Sequence, residues 1–533
     1  MIRSTLLVLL LAVGTGPLAA QAPDSLLASI QRLESAGRWQ EAIAPLERYV
    51  ALRPDDAARV RQLGQYLSWQ GDRERGTALL RRAAGLEPGN AEGLAVLGEV
   101  LSWDPGHRAE AGDLFQRALA IEPKNARARI GQANLLAWGG SAGRALPLYD
   151  ALLAEDPKSL GALRGKGGAL NQLLRFEEAE PVLQQAHELA PADPGTNQEL
   201  AAAALGLERF DDAARRLAAV TAVTTPELSY LQDSVRRARG TWLEVNGLGR
   251  DRSNQLDALR GEARFSPYLG RGWRVLAGWQ ATRFQDSVGE FQSQAAAAGL
   301  RYQRSRAFDL SLGGGLRWTD GRSDPDWAGS LGMGWRPVPT VRFSVMAERS
   351  LVDETRTSVL AGVHSNLAAV GLEVQLLDRR IELAGRGGAG VYTGDGLEDN
   401  QRLGGDLSAG WVIRTYQPYL RVGYAFMGST FEENLAETGG YFSPDRYFAN
   451  FGTITVSNRF GGRVFWEFDG RLGNQMTAQE SAQANDWRAS AVVNTHVTWR
   501  VGRATDLDLR YMYVDAFSAF RLHEGRLLLR QYF

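Results

Sequence analysis

Cysteine is absent from the 533 residues. This excludes disulfides, thiolate nucleophiles, cysteine-ligated zinc and an N-terminal lipid-modified cysteine. Histidine is scarce: His107, His187, His364, His496 and His523 are scattered, and no two stand at a helical or strand ligand spacing. No metal or other cofactor is therefore expected. An excess of either charge is also missing, since 60 Lys+Arg stand against 61 Asp+Glu for a formal net charge of -1. That balance gives no electrostatic ground for a nucleic-acid partner. Beyond the first residues there is no run of about 18 apolar residues, so no membrane helix is expected after export. Glycine runs the other way. Of its 60 residues most lie in the second half, where tight strand packing and turns use it.

The first twenty residues have Arg3, an apolar run from Leu6 to Val13, and small residues ending in Ala19-Ala20. A charged start, a short apolar core and small residues before a cut are a secretory signal peptide, assigned to 1–20 with cleavage after Ala20, the alternative after Ala22 being disfavoured by Pro23 directly behind the cut. Residues 241–533 then alternate with a period of two. Val341, Phe343, Val345 and Ala347 oppose Arg342, Ser344 and Glu348, and Leu507, Leu509, Tyr511 and Tyr513 oppose Asp508 and Arg510. Successive strand side chains face opposite ways, so this pattern makes one apolar and one polar wall. A soluble β-sandwich shares the pattern. Export joined to it favours an antiparallel transmembrane β-barrel in a bacterial outer membrane, because only a closed sheet satisfies every backbone amide in hydrocarbon.

Between 23 and 227 the period is helical and repeats every ~34 residues. The recurring positions include Gly37 and Pro54, Leu63-Gly64, Leu80, Ala83 and Pro88, and Gly98, Phe115, Ala118 and Pro123. They continue as Ala145, Tyr149 and Pro157, then Gly167, Phe176, Ala179 and Pro191, then Ala201, Phe210 and Ala213. These about six units resemble tetratricopeptide repeats, in which small residues let paired helices approach and a proline ends each unit. One such pair cannot bury its apolar face alone, so the units are expected to stack into a solenoid with a concave protein-docking surface. Trp69, Trp103 and Trp138 recur at the ends of the first helices. The expected role is packing between repeats, with a ligand-stacking ladder as the alternative. Residues 228–240 read as a capping helix and linker, with Gly240 as the hinge into the barrel.

The 293 residues of 241–533, at about 18 per strand and connection, give about sixteen strands. The count holds if 356–377 is one long or broken strand. Connections at 336–340, 415–418, 458–461 and 501–504 are short. Those at 286–290, 320–326, 393–401, 428–445 and 475–485 are longer. Short turns at the periplasmic end and long loops outside are the outer-membrane pattern, and an even count puts both ends of the barrel domain, hence the arm, in the periplasm. The chain ends on Phe533 after Leu527, Leu529 and Tyr532. A terminal aromatic on an alternating strand resembles the signal read by barrel-assembly machinery, although Gln531 departs from that pattern.

Four segments occur in order: Asp353-Glu354-Thr355-Arg356-Thr357-Ser358-Val359-Leu360, Asp399-Asn400-Gln401-Arg402, Glu433-Asn434-Leu435, and Gly439-Gly440-Tyr441-Phe442-Ser443-Pro444-Asp445-Arg446-Tyr447-Phe448. Together they resemble the C-terminal domain of the cellulose synthase outer-membrane export subunit, over about 350–480. Repeats placed before a barrel also resemble that family and, more loosely, the poly-N-acetylglucosamine export porin. The resemblance implies an outer-membrane porin exporting an exopolysaccharide, cellulose or a similar β-glucan. It implies the polymer, outer-membrane lipid, periplasmic or inner-membrane synthase components and the barrel-assembly machinery as partners, and no catalysis. Six repeats are far fewer than that family's long array. The family-motif loop contributes Gly440, Tyr441, Phe442, Ser443, Pro444, Arg446 and Tyr447.

A neutral polysaccharide moving through a wet lumen needs polar and aromatic contacts weak enough to let go. By alternation the pore-lining candidates are Trp242, Arg317, Arg342, Glu348, Arg421, Arg463, Glu467, Asp469, Arg471 and Arg510. Trp242 shares a face with Glu244 and Asn246 and is placed near the periplasmic mouth to stack on sugar. The bland alternative is that these charges pair with one another in any barrel interior. Gly385-Arg386-Gly387-Gly388-Ala389-Gly390 fits G-x-G-x-x-G but lies in a strand with no following helix, which argues against nucleotide binding. Glu467 and Asp469 share a face as a glycosidase pair would. Such a pair needs a substrate cleft and one raised pKa, whereas the alternating charges around it point to a wet lumen with neutralising arginines, so a glycan-cleaving barrel is disfavoured. The alternative function is an anchored scaffold that organises periplasmic proteins without polymer transport.

Overall fold

A computed structural model describes residues 23–220, 225–253, 256–377, 379–414, 418–436, 438–478, 487–516 and 520–533. The signal-peptide assignment, most of the 415–418 turn and most of the 475–485 loop fall outside the described residues. The chain forms two compact units, divided between Gln172 and Leu173.

The first unit is built of helix pairs: Pro23–Ser35 with Trp39–Leu52, Ala57–Gln70 with Arg73–Leu86, Ala91–Ser102 with Arg108–Ile121, and Ala126–Leu136 with Ala142–Glu155, followed by Leu160–Gln172. Asp56, Asp72, Asn90 and Asn125 cap helix starts, each side chain accepting from the backbone three residues on. Such caps satisfy amides that the helix itself leaves unpaired. The recurrent glycines have a steric cause. Phe115 lies fully buried between Gly98 and Gly131, and a Cβ on Gly131 would run into its ring. Tyr149 stands likewise against Gly165. In these two repeats a large ring fills the space that a glycine on a neighbouring helix leaves, and in the second repeat Leu80 does the same against Gly64.

The second unit begins with helices Phe176–Leu189, Pro194–Gly206, Phe210–Ala218 and Pro226–Arg239. The last is capped by the Thr225 hydroxyl and starts two residues before the expected 228. Gly240 is extended, and the first strand, Trp242–Arg252, follows at once. Sixteen antiparallel strands close into a barrel. The second is interrupted at Pro267, which has no N–H to give the ladder, so it appears as Asp257–Ser266 and Tyr268–Gly270. Closure is between the first strand and the last, Phe520–Tyr532, in register from Trp242↔Tyr532 to Arg252↔Leu522.

The 356–377 segment differs from expectation. Residues Arg356–Leu360 form one helical turn, and only His364–Leu376 is a strand. The cause is local: Thr355 and Ser358 form a capping box, each hydroxyl serving the other's backbone N–H.

Outward faces carry large apolar side chains in the open: Leu472 is 71%, Leu403 65% and Leu312 59% exposed. A continuous exposed apolar surface of this kind is a lipid-facing wall. Aromatics gather at its two edges. Phe265, Trp273, Trp335, Phe343, Trp411 and Trp499 ring the short-turn end, and Trp318 and Trp327 stand at the long-loop end. Rings at both boundaries are the interfacial girdles of a transmembrane barrel.

The second unit's own helices are fastened to the short-turn end. The Arg306 amide donates to the Leu207 carbonyl at 2.8 Å, and the Arg271 amide to Asp211 at 2.8 Å. Arg379 reaches the Leu174 carbonyl and Glu177. Buried Arg237 pairs with Asp506, donates to the Gly502 carbonyl at 2.7 Å and lies over the Tyr532 ring. These contacts put the helices and the short turns at the same end of the barrel.

Candidate functional site

The wall opposite the exposed leucines lines the lumen, and most of the expected charged residues are on it. Arg342 meets Asp309 at 3.1 Å and Glu373 at 3.7 Å. Arg421 meets Glu382 at 2.8 Å. Asp469 joins Arg471 at 3.0 Å and accepts from Thr455 at 3.0 Å, while Glu467 faces His496 across the ladder. Arg510 meets Asp508 at 2.7 Å, and Asp508 also contacts His496 and Thr498 at 2.7 Å. Glu348 lies on the same face, opposite Ser330 and Leu367. The charges are largely cross-paired, as the bland reading anticipated. The lumen is therefore polar without a strong field of one sign.

Two candidates have a different setting from the one expected. Arg463 is not on a strand; it is exposed in the turn 461–463. Gly461 and Gly462, at φ +56° and +68°, reverse the chain there, and alternation does not extend through such a turn. Trp242 is beside Glu244 as expected, but the Arg530 guanidinium covers one face of its ring at 4.7 Å.

The long-loop mouth holds an arrangement that strand alternation could not reveal. The connection after Val341–Leu351 folds inward, and Asp353 reaches arginines of the first two strands, Arg250 at 3.1 Å and Arg260 at 3.0 Å. Those strands are five and six places away round the wall, so this loop crosses the mouth. Burial raises the Asp353 carboxyl, but Arg250, Arg260 and Arg317 outweigh it and hold the group below its ordinary value. Arg356 makes two bonds to Asp286, at 2.8 and 2.9 Å, and one to the Gly289 carbonyl at 2.6 Å. The Arg356 bonds, with the Val288 and Gly289 amides, bring Asp286 down to about 2. Between these anchors Val359 is fully buried against Leu256, Ala258, Phe284 and Phe291.

A second loop completes the lid. Tyr441 stacks on Tyr392 at 4.9 Å and packs on Val363 and Phe431. The Asn400 amide donates to the Glu433 carbonyl at 2.7 Å and to the Tyr441 hydroxyl at 3.1 Å. Burial raises the Tyr441 hydroxyl above its usual value. The Ser443 hydroxyl accepts from the Leu435 amide at 2.8 Å, and the Tyr447 hydroxyl donates to Gln475 at 3.0 Å. The two loops are joined directly: Thr355 donates to the Gly440 carbonyl at 2.6 Å, and the Phe442 amide donates to Glu354 at 2.8 Å. Gly440 has φ +64°, and a Cβ there would collide with the Thr355 hydroxyl. Four segments that looked like separate motifs are thus one folded object. Phe442 remains on its surface, and Arg446 begins the following strand.

A family model described as the cellulose synthase operon protein C C-terminus matches residues 311–502, and a tetratricopeptide repeat model matches 102–167. The first match spans all four of those segments. No curated protein matches the chain. A solved structure described as a bacterial polysaccharide outer membrane secretin is similar at 14% identity, covering 55% of this chain and 99% of its own, with a TM-score of 0.45. A tetratricopeptide repeat protein from Parabacteroides merdae is similar at 17% identity over 41% of this chain and 87% of its own, with a TM-score of 0.30. Another, from Thermus thermophilus, is 20% identical over 34% of this chain and all of its own, with a TM-score of 0.31.

Proposed function

We propose an outer-membrane porin that exports an exopolysaccharide, cellulose or a similar β-glucan, a reading supported by the match of residues 311–502 to the cellulose synthase operon protein C C-terminus model and of 102–167 to a tetratricopeptide repeat model. The observation that carries this reading is the two-loop lid. A barrel that is only an anchor needs no latched cover built from its family's own motifs over a polar lumen. Substrate enters at the short-turn end, in the periplasm, where the arm docks components of the polymer synthase. It passes cross-paired charges that offer hydrogen bonds without a dominant sign, as an uncharged polymer requires. It leaves when the lid releases Asp353 from Arg250 and Arg260. Insertion uses the barrel-assembly machinery acting on the strand Phe520–Tyr532. Pore lining is assigned to Trp242, Arg317, Arg342, Glu348, Arg421, Glu467, Asp469, Arg471 and Arg510, with Arg463 at the rim.

Single-channel conductance in planar bilayers tests this. Wild type is expected to be mostly closed, and Asp353→Ala to show long openings that β-1,4-glucan oligosaccharides block in a length-dependent way. Folded Asp353→Ala barrels that never conduct would favour the anchored scaffold instead.

A further inference from the structure

The repeats carry an aromatic array that passage through the barrel does not employ. Trp69, Trp103 and Trp138 recur 34 and 35 residues apart. Trp69 is in the last turn of Ala57–Gln70, Trp103 directly follows Ala91–Ser102, and Trp138 follows Ala126–Leu136. Packing between repeats was the expected role. It accounts for Trp103, which rests on the buried cluster around Leu97 and Phe115. It does not account for Trp69 and Trp138, which are 44% and 39% exposed.

The setting of each ring recurs as well. The residue that opens the second helix of one repeat meets the tryptophan of the next. Trp39 meets Trp69 edge-on at 5.6 Å, Arg73 lies over Trp103 at 5.8 Å, and Arg108 lies over Trp138 at 5.4 Å. Tyr66 widens the first rung, 5.5 Å from Trp69, with its hydroxyl donating to Glu34 at 3.0 Å. An indole in water forgoes the hydrophobic gain of burial, and one repeated at the same place in successive units marks a surface that something covers. A sugar ring suits it. Its apolar face stacks on an indole, and its equatorial hydroxyls accept from the neighbouring guanidinium.

We infer that this edge of the first unit is a binding track for a β-linked neutral polysaccharide, with sugar-stacking rungs at Trp69 and Trp138 on either side of the packed Trp103. The occupant follows from the pattern. Shallow rungs suit a chain of identical units, whereas a peptide partner needs a pocket for a few buried anchor side chains. Glu34 accepts from Tyr66 beside Trp69, and Asp104 lies close enough to Arg73 to feel its charge, which selects against a strongly anionic polymer. The inference rests on the export reading and gives the arm direct contact with the exported chain.

Calorimetric titration of the full-length protein in detergent with cellohexaose tests the track, with maltohexaose as the α-linked control. Trp138→Ala and Trp69→Ala are each expected to weaken cellohexaose binding about tenfold while leaving oligosaccharide block unchanged when each is combined with the open-channel variant Asp353→Ala. Arg108→Ala, which keeps the ring, is expected to weaken it less and serves if a tryptophan variant loses its helical circular dichroism. Unaltered affinity in all three variants overturns the track and leaves the porin reading intact. So does the absence of cellohexaose binding while block persists; the edge would then serve a protein. Equal affinity for maltohexaose overturns the β-linked class. Loss of block with retained, tryptophan-dependent binding would instead remove the porin reading and keep the track.

Discussion

Glu244 is only 1% exposed, with Arg264 at 2.9 Å on one side and Arg530 at 3.0 Å on the other. It joins the first strand to the second and to the last. Removing one member of a buried ion cluster leaves its partners uncompensated. Glu244→Gln keeps the shape and removes the charge, and it is expected to cost about 3 kcal/mol of barrel stability, read as a lower thermal unfolding midpoint. Gly440→Ala places a side chain at a left-handed φ and against Thr355, a strain of about 1–3 kcal/mol. Its expected effect is a higher open fraction in bilayers with normal unfolding of the barrel. At this scale the sequence was partly legible. Alternation grouped Arg342, Arg421 and Arg510 on one face, where they meet Asp309, Glu382 and Asp508, because the strand period is two residues. It failed at Arg463, where two glycines turn the chain. It was silent on Asp353, whose partner Arg250 is 103 residues away in sequence.

Among elements, the lid has a pH dependence of definite sign. Asp286 and Asp353 both have folded carboxyls below the ordinary value, so each stabilises the closed loops above the usual carboxylate pKa. That contribution is lost as pH falls through the folded values, which for Asp286 is about 2. Closure is therefore expected to be unchanged from neutral pH down to about 4 and to weaken between there and about 2. Conductance recorded down that range checks it, and Asp286→Asn with Asp353→Asn should flatten the response. The helical turn Arg356–Leu360 was misread as strand because Val359 and Leu360 continue an apolar pattern. The Thr355–Ser358 spacing was the available signal, a capping box with serine in the place usual for Glu or Gln. The convergence of the two loops had no sequence signal beyond the family resemblance, since pairing across a barrel mouth leaves no period.

For the whole molecule, both fold classes were legible because each has its own period, two for the strands and about 34 for the repeats. The division of the chain was less so. The last helices have tetratricopeptide character, yet they form one compact unit with the barrel, through Arg237, Arg306 and Arg379. Removing residues 23–172 is therefore expected to leave a barrel with normal thermal unfolding, whereas removing 23–239 exposes Asp506 and the short turns and lowers the midpoint. Unfolding profiles of the two truncations in detergent decide this, and equal midpoints would mean that the fastened helices add nothing.

The seam between Trp242–Arg252 and Phe520–Tyr532 also sets an order in time. The strand made first has to wait for the strand made last. Every other hairpin in the wall can form from neighbours as they arrive, but Glu244 has no Arg530 until the final strand of the barrel has been delivered. A product that stops before that strand lacks the register that closes the wall.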